Sequence, residues 1–587
     1  MMTKNKPADS TWPRSTWKRR ALHAAAVLLF LLAVLGGWLK WRSGRNYYGE
    51  PETLLPPDTA VLATWRQLGQ FIEHLNQLKA LQQIQQDEDF LALLLADPDW
   101  RKLQNEKDKA RYKFLKTAAH DFIQTWFGRE FSLALLPPQT GKKGTESGGL
   151  IAIARTDLGF EENLAEFVAQ CYPELSIEER RYRGHRLYRY NAEKSKRAFS
   201  YCRFGDTVVV SFRSADWGWL ERVIDRKLAY VSTGSSANLA HTPIFSDYAA
   251  ERKRQAGLDL FVSPQSLSQT IRSLPANIAS DRHWGFWLDY ADEKLQNIRW
   301  GAFNLDLDKS GLNLESFWKY DTPPPPSSQP TAVRSQTRQR LETLPAGTAL
   351  ALTLESPALR RFALELRQRM AGTKAYAKSV RKFDENWKSL TGVRFAEDFV
   401  EPMQASAGVA VTGMVANPLF PIPQGVIWWE LADPQKASTL LELIAQTSPQ
   451  GTPTRFFKAG TVEFQTQEQN LFGHVNRQGG TIESVLSASP SSASGNTGQR
   501  PLDHPMLQPV WSADNVAPVL CLFADFETCY DYAQRLHRSA SIWSKEVRKD
   551  FEFWQTVLGV LRHLHALRLT ATPRAQGIAI QLLVSVD

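Results

Sequence analysis

The fold is encoded most clearly in GLIAIARTDLGFEENLAEFVAQ, residues 149–170, and in its counterpart GVIWWELADPQKASTLLELIAQ, residues 425–446. The two stretches align without a gap and are identical at seven of 22 positions. Each begins with an apolar run typical of a strand and continues with apolar residues three or four apart, which is helical spacing. Asp157 and Asp433 fall between the two patterns, where a carboxylate can cap a helix. The sequence therefore predicts a strand and helix unit that is used twice.

Further matches occur in the same order on both sides of this unit. LPPDTAVLA at residues 55–63 resembles LPAGTALAL at residues 344–352, and in each a proline turn leads into a short strand. Ser and Pro at 356–357 supply the cap and first-turn proline of a following helix. Residues 297–320 and 564–586 alternate between polar and apolar about a turn, which predicts two hairpins.

A proline-rich segment separates the two halves. Residues 322–330 read TPPPPSSQP, and consecutive prolines favour an extended polyproline II chain. We therefore expect a linker at 321–340 between a first α+β module at 53–320 and a second, related α+β module at 341–587. Each module is predicted to be an antiparallel-rich sheet with helices packed on one face.

The N-terminal residues predict a membrane anchor. Residues 21–39 read ALHAAAVLLFLLAVLGGWL and carry no full charge. As a helix they would be about 28 Å long, close to the hydrocarbon thickness of a bilayer. Six basic residues precede this run and three follow it, so the positive-inside rule makes 1–20 a cytoplasmic tail and 40–52 a juxtamembrane linker. The expected protein is single-pass in a bacterial inner membrane with its bulk in the periplasm; a cleaved signal peptide and a buried core helix are the alternatives.

The distribution of charge argues against nucleic acid as a partner. The chain has 70 basic and 61 acidic residues, a net charge of +9. Residues 1–45 hold nine of the basic residues and one acid, so the rest of the chain is nearly neutral. Nucleic-acid binding requires basic groups concentrated on the folded surface. We therefore expect a membrane and a protein as partners, and no nucleic acid.

Motifs that carry chemistry are missing from the sequence. It contains no nucleophile elbow, zinc-binding HisGluXXHis helix, phosphate loop or dinucleotide turn. Ser379 and Lys382 have the spacing of a serine and its activating lysine but lack the companion motif. His563 and His565 would share one face of a strand, yet no third metal ligand accompanies them. We predict no catalytic residue, no metal ligand and no cofactor.

Two further groups of residues are candidate sites. The cysteines Cys171, Cys202, Cys521 and Cys529 are possible disulfide partners in an oxidising periplasm, with three connectivities open. Alternatively they are small buried hydrophobic residues. The adjacent Trp428 and Trp429 fall in a predicted strand.

Neighbouring side chains of a strand point to opposite faces, so Trp428 and Trp429 cannot both face one core. We therefore treat this pair as candidate aromatics of a groove or an interface.

The apolar N-terminal run, the LeuProXXThrAla pattern at 55–60 and 344–349 and the repeated unit together resemble bacterial envelope families of unknown function. In particular, the sequence looks like a family often encoded beside alpha-2-macroglobulin-like envelope proteins. The resemblance implies an envelope protein as partner and transfers no functional residue. We expect a non-enzymatic binding or scaffold protein. The alternatives are a periplasmic hydrolase with an unrecognised site and a receptor for a small or polymeric ligand in a cleft between the modules.

Overall fold

The structure is a computed structural model. The residues that it describes are 49–87, 130–141, 144–146, 149–156, 164–165, 176–191, 198–212, 217–233, 237–252, 257–273, 282–308, 311–322, 341, 344, 347–374, 376–391, 394–415, 422–431, 454–457, 461–466, 471–478, 481–487, 507, 518–537, 545–574 and 576–586.

Strands account for more of the described residues than helices do. The strands are β1 (Val61–Arg66), β2 (Glu130–Leu136), β3 (Gln139–Gly141), β4 (Gly144–Glu146), β5 (Gly149–Arg155), β6 (Ser176–Tyr182), β7 (His185–Asn191), β8 (Ala198–Phe204), β9 (Thr207–Ser211), β10 (Leu258–Val262), β11 (Ile298–Asp308), β12 (Gly311–Tyr320), β13 (Leu350–Glu355), β14 (Met403–Val415), β15 (Ile422–Leu431), β16 (Thr454–Phe457), β17 (Thr461–Thr466), β18 (Leu471–Gln478), β19 (Thr481–Ser487), β20 (Leu520–Asp525), β21 (Ala566–Arg574) and β22 (Gly577–Ser585).

Helices connect several of the strands. They are α1 (Leu68–Gln77), α2 (Lys79–Gln86), α3 (Gly218–Thr233), α4 (Pro243–Glu251), α5 (Pro264–Arg272), α6 (Arg282–Leu295), α7 (Ser356–Gly372), α8 (Ala377–Thr391), α9 (Phe526–His537) and α10 (Lys545–Leu561). Among the described residues, no helix combines the length and the apolar character needed to cross a membrane. The predicted anchor at 21–39 lies outside the described residues.

The chain divides into two compact units. The first consists of Met1–Pro57 and Ile151–His241, and the second of Asp58–Leu150 and Thr242–Asp587. In the first unit the antiparallel strand order is β5–β9–β8–β7–β6. Helix α3 contacts β8 and β9.

The buried face of α3 follows from its sequence spacing. Leu220, Val223 and Ile224 recur at helical intervals, and all three side chains are fully buried. Burying one such side chain contributes about 1.5–3 kcal/mol to folding. The turn between β6 and β7 places Arg183 and Gly184 at φ 47° and 82°, the left-handed conformations that a tight hairpin requires.

In the second unit one antiparallel sheet runs without interruption through the order β2–β1–β10–β11–β12–β22–β21–β20–β13–β14–β15–β19–β18–β17–β16. A separate small hairpin joins β3 and β4. From its centre outward this order repeats: β12, β11, β10, β1 and β2 on one side correspond to β22, β21, β20, β13 and β14 on the other. Beyond β14, the order β15–β19–β18–β17–β16 has the same form as the order of the first unit.

The predicted fold class, a membrane helix followed by two modules with separate sheets, is therefore wrong. Strands β12 and β22 pair from Gly311 with Ser585 to Lys319 with Gly577, so the two expected sheets are one. The physical reason is that each hairpin has an outer edge of unpaired N–H and C=O groups, and pairing the two edges satisfies both. The alternating pattern of a hairpin does not specify which other strand will pair with its outer edge.

The repeated segment itself is described in part. Leu164 is buried as expected of a core-facing helix residue. Asp157, Asp433 and Leu440 lie outside the described residues, as does most of the linker at 321–340. The predicted domain boundaries at that linker therefore stay a prediction.

Candidate ligand-binding site

A pocket of about 650 Å³ lies over the central strands of the second unit's sheet. We call it the central pocket. Its lining residues are Tyr248, Glu251, Arg252, Trp300, Ala302, Asn304, Glu315, Ser316, Phe317, Thr570, Thr572, Arg574, Gln576, Ala579, Ile580 and Gln581. These residues come from α4 and the residue that follows it, from strands β11, β12, β22 and β21, and from the turn between β21 and β22. The pocket therefore spans the place where β12 pairs with β22.

Strand register arranges the floor of the central pocket in rows. Asn304 lies opposite Glu315, Glu315 opposite Gln581, and Gln581 opposite Thr570. We call these four residues the polar row. Because side chains two residues apart share a face of a strand, the next row on the same face begins two positions further along each strand.

This next row is mostly apolar. Ala302 lies opposite Phe317, Phe317 opposite Ala579, and Ala579 opposite Thr572. We call these four residues the apolar row. The two alanines on either side of Phe317 occupy little volume, which leaves space above the sheet.

Helix α4 forms one wall. It begins where Thr242 accepts a hydrogen bond from the backbone N–H of Phe245, with Pro243 in the first turn. Near its other end Tyr248 donates a hydrogen bond to Asp259 of β10. Burial raises the pKa of Asp259, although the hydrogen bond from Tyr248 and the positive charge of Arg252 act to lower it.

Asp247 fastens α4 to the sheet. Its carboxylate accepts hydrogen bonds of 3.0 Å from Trp300 Nε1 and from Lys319 Nζ. Lys319 Nζ also lies 2.7 Å from Glu251 Oε1. Burial alone would raise the pKa of Asp247, but the hydrogen bonds from Trp300 and Lys319 outweigh it and lower the pKa.

The polar row is connected by hydrogen bonds. Gln581 Nε2 donates to Glu315 Oε1 at 3.4 Å, and Arg568 Nη2 donates to Gln581 Oε1 at 2.9 Å. Asn313 Nδ2 also donates to Glu315 Oε1, at 3.4 Å. Asn304 differs from its neighbours, because its Oδ1 atom is buried and accepts no hydrogen bond from any described residue. A buried acceptor without a donor costs about 1–3 kcal/mol, so a bound donor at this position is favoured.

The lining of the central pocket contains hydroxyl, amide, carboxylate and guanidinium groups and neither histidine nor cysteine. Within the part of the chain that the structure describes, no group of three or more His, Cys, Asp or Glu side chains could hold a metal ion.

Residues 22–455 match the family described as "Protein of unknown function (DUF3352)". The chain belongs to this family. No curated protein matches it. One solved structure, "Structure of crystal form I of TP0453", matches at 8% identity over 50% of this chain and 86% of that chain. Its TM-score is 0.23, so it carries no argument about fold or function. The expected link to genes beside alpha-2-macroglobulin-like proteins stays a prediction.

The structure places Trp428 in the core. Its side chain is 1% exposed and packs with Leu341, Leu344, Ala351 and Ala410. It therefore lines no open groove. Trp429 lies opposite Ala407 in the pairing of β15 with β14. The structure describes the backbone of Trp429 and not its side chain.

Three of the four cysteines have free thiols: Cys202, Cys521 and Cys529. Burial raises the pKa of Cys521 to about 12 and that of Cys529 to about 11, and it raises the pKa of Cys202 further. Cys529 Sγ lies 3.3 Å from the backbone oxygen of Ala349. Cys202 and Cys521 are buried, and Cys529 is half-buried. Cys171 lies outside the described residues.

Of the two histidines considered as a metal pair, His563 contacts a carboxylate of another element. His563 Nε2 lies 2.7 Å from Asp87 Oδ2, and Arg562 Nη2 lies 3.2 Å from the same oxygen. This cluster ties the end of α2 to the end of α10. Asp87 follows the last residue of α2, and nothing in the local sequence connects it to residues so far along the chain.

Sequence reasoning also missed the central pocket. Asn304, Glu315 and Gln581 lie within the two predicted hairpins, where they read as ordinary polar positions of alternating strands. The signal in the sequence was alternation along each strand, which puts Asn304 on the same face as Trp300 and Glu315 on the same face as Phe317.

Proposed function

We propose that this chain is a non-catalytic binding protein of the bacterial cell envelope, and that the central pocket is where it holds another envelope component. The observation that carries the proposal is the pocket itself: about 650 Å³, within the range of about 300–1,000 Å³ of ligand sites, over a row of fixed hydrogen-bonding groups. Membership of a family of unknown function is consistent with this proposal.

The carboxylates of the pocket are held in place by neighbouring side chains. Glu315 accepts hydrogen bonds from two side-chain amides, and Glu251 is paired with Lys319. Both groups therefore have fixed positions from which they can hold a ligand.

The envelope location rests on sequence. The basic residues of 1–45 and the uncharged run at 21–39 support membrane association with the bulk of the chain outside the cytoplasm. A reporter that is active only after export, fused behind Asp587, tests this location. Activity of a cytoplasmic reporter at the same position would contradict it.

Crosslinking in intact cells tests the binding site. A photoreactive amino acid at Gln576, an exposed residue of the pocket rim, should capture a defined component. The same amino acid at Gln77, exposed on α1, is the matched control and should not. Ala579→Leu, which fills the floor, should abolish capture from position 576. Capture that is equal from both positions, or that survives Ala579→Leu, would show that the pocket is not the site.

A further inference from the structure

We infer that the group bound in the central pocket is an uncharged saccharide of mono- to disaccharide size, held by hydrogen bonds and by contact with Phe317. This inference rests on the proposed function and names the ligand class of the same site. Charge, hydrogen-bonding capacity and shape of the lining each support it.

Charge comes first. The lining carries two carboxylates, Glu251 and Glu315, and two guanidinium groups, Arg252 and Arg574, so its formal charges balance. Glu251 already pairs with Lys319, and Arg252 Nη1 lies 4.0 Å from Asp259 Oδ2.

A charged ligand would compete with these ion pairs, and it would also lose its own hydration on entering the pocket. Several guanidinium groups would bind a phosphate most tightly, but Arg252 already faces Asp259, which leaves Arg574 as the other guanidinium of the lining. An uncharged ligand disturbs none of the pairs.

Hydrogen-bonding capacity selects a ligand with many hydroxyl groups. Asn304 Oδ1 requires a donor, since no described residue supplies one. Thr570, at the other end of the polar row, carries a hydroxyl that both donates and accepts. Between them Glu315 and Gln581 present a carboxylate and an amide. Sugar hydroxyls also both donate and accept hydrogen bonds, so adjacent hydroxyls of one sugar can pair with the donors and acceptors of the polar row.

Shape selects a ring. Phe317 is half-buried, with its ring edge-on to Trp300 at 5.5 Å between centroids, and Ala302 and Ala579 flank it. The face of an aromatic ring carries partial negative charge and attracts C–H groups, which carry partial positive charge. A pyranose offers such an apolar C–H face on one side and hydroxyls at its edge. It can therefore lie on the apolar row while its hydroxyls reach the polar row.

The test uses the purified full chain in a detergent without a sugar headgroup. Equilibrium dialysis and saturation-transfer NMR are carried out with maltose and chitobiose as neutral probes, dialanine as a zwitterionic probe and glucose 1-phosphate as an anionic probe. We expect at least one neutral disaccharide to bind and the charged probes to bind at least tenfold more weakly.

Variants locate the binding. Asn304→Leu should weaken saccharide binding about tenfold, as expected from losing one hydrogen bond in a buried site. Ala579→Leu should abolish it. Asn76→Leu, at an exposed position of α1, is the matched control and should leave binding unchanged. Should Asn304→Leu fail to fold, Thr572→Val removes a hydroxyl of the lining at nearly constant volume and should weaken binding several-fold.

Different failures have different meanings. Preferential binding of dialanine or glucose 1-phosphate overturns the saccharide class and leaves the pocket as a binding site. Saccharide binding that Ala579→Leu does not change overturns the assignment to this pocket. No binding of either disaccharide at millimolar concentration overturns the inference, while crosslinking from position 576 decides the proposed function independently.

Discussion

The packing of Trp428 requires a glycine at the position opposite it on the neighbouring strand. The ring of this buried tryptophan lies over Gly408, its partner in the pairing of β14 with β15. A Cβ atom added at Gly408 would lie 2.2 Å from the ring. Glycine is therefore required here by a close approach of a side chain, not by the backbone conformation.

We predict that Gly408→Ala lowers the free energy of unfolding by about 1–2 kcal/mol, because overpacking outweighs the gain from a less flexible unfolded chain. Gly372→Ala is the matched control: nothing lies within 4 Å of a Cβ at that position, at the end of α7. This control should be neutral or stabilising by about 0.4–1 kcal/mol. Urea unfolding measures both, and equal effects of the two substitutions would contradict the packing of Trp428 over Gly408.

The cysteines provide a second prediction at the residue scale. Because burial raises their pKa values, Cys521 and Cys529 should resist iodoacetamide in the native protein at about pH 8 and react after unfolding without reductant. Cys202 should behave in the same way. Peptide mass spectrometry measures the alkylated fraction. A peptide that links Cys521 to Cys529 would show a disulfide instead.

At the scale of one element, the position of α4 depends on the charge of Asp247. This carboxylate receives hydrogen bonds from Trp300 and Lys319, which belong to adjacent strands. Its pKa in the folded protein is lower than in the unfolded chain. Its contribution to stability is therefore present above the unfolded-state pKa and is lost as the pH falls through the folded-state pKa.

We predict that Asp247→Asn lowers the free energy of unfolding by about 1–2 kcal/mol at neutral pH, as expected for partly exposed charge-assisted hydrogen bonds. The difference from the unmodified chain should shrink as the pH falls through the lowered pKa of the native carboxylate. Asp289→Asn, at an exposed position of α6, is the control and should have little effect across the same pH range. A difference that does not change with pH would mean that the charge of Asp247 does not hold α4.

At the scale of the whole molecule, the pairing of β12 with β22 decides whether the two halves can separate. It extends from Gly311 with Ser585 to Lys319 with Gly577. Separation would expose two long sheet edges at once and leave their hydrogen-bonding groups unpaired. The halves are therefore expected to depend on each other for stability.

We predict that cleavage at a protease site inserted within residues 323–330 leaves the two fragments in one complex during size-exclusion chromatography. Gly577→Ala should weaken this complex, because its Cβ would lie 2.1 Å from the backbone oxygen of Trp318. Gly372→Ala again serves as the control and should leave the complex intact. Two fragments that separate and each stay folded would contradict a shared sheet.

The sequence by itself determined the local elements. The alternation at 297–320 and 564–586 predicted two hairpins, and these are β11 with β12 and β21 with β22. The SerPro at 356–357 predicted the start of a helix, and α7 begins at Ser356. Such predictions succeed because the period of apolar residues and the preferences of capping residues act over a few neighbours.

Only the tertiary structure decided what these elements build together. The outer edge of β12 meets β22 across the expected module boundary, and this pairing brings Asn304 and Glu315 into one row with Gln581 and Thr570. No local pattern specifies that row, because strand edges present the same backbone groups whatever their sequence. The central pocket exists because the edge strands of two hairpins far apart in the chain, β12 and β22, form hydrogen bonds with each other.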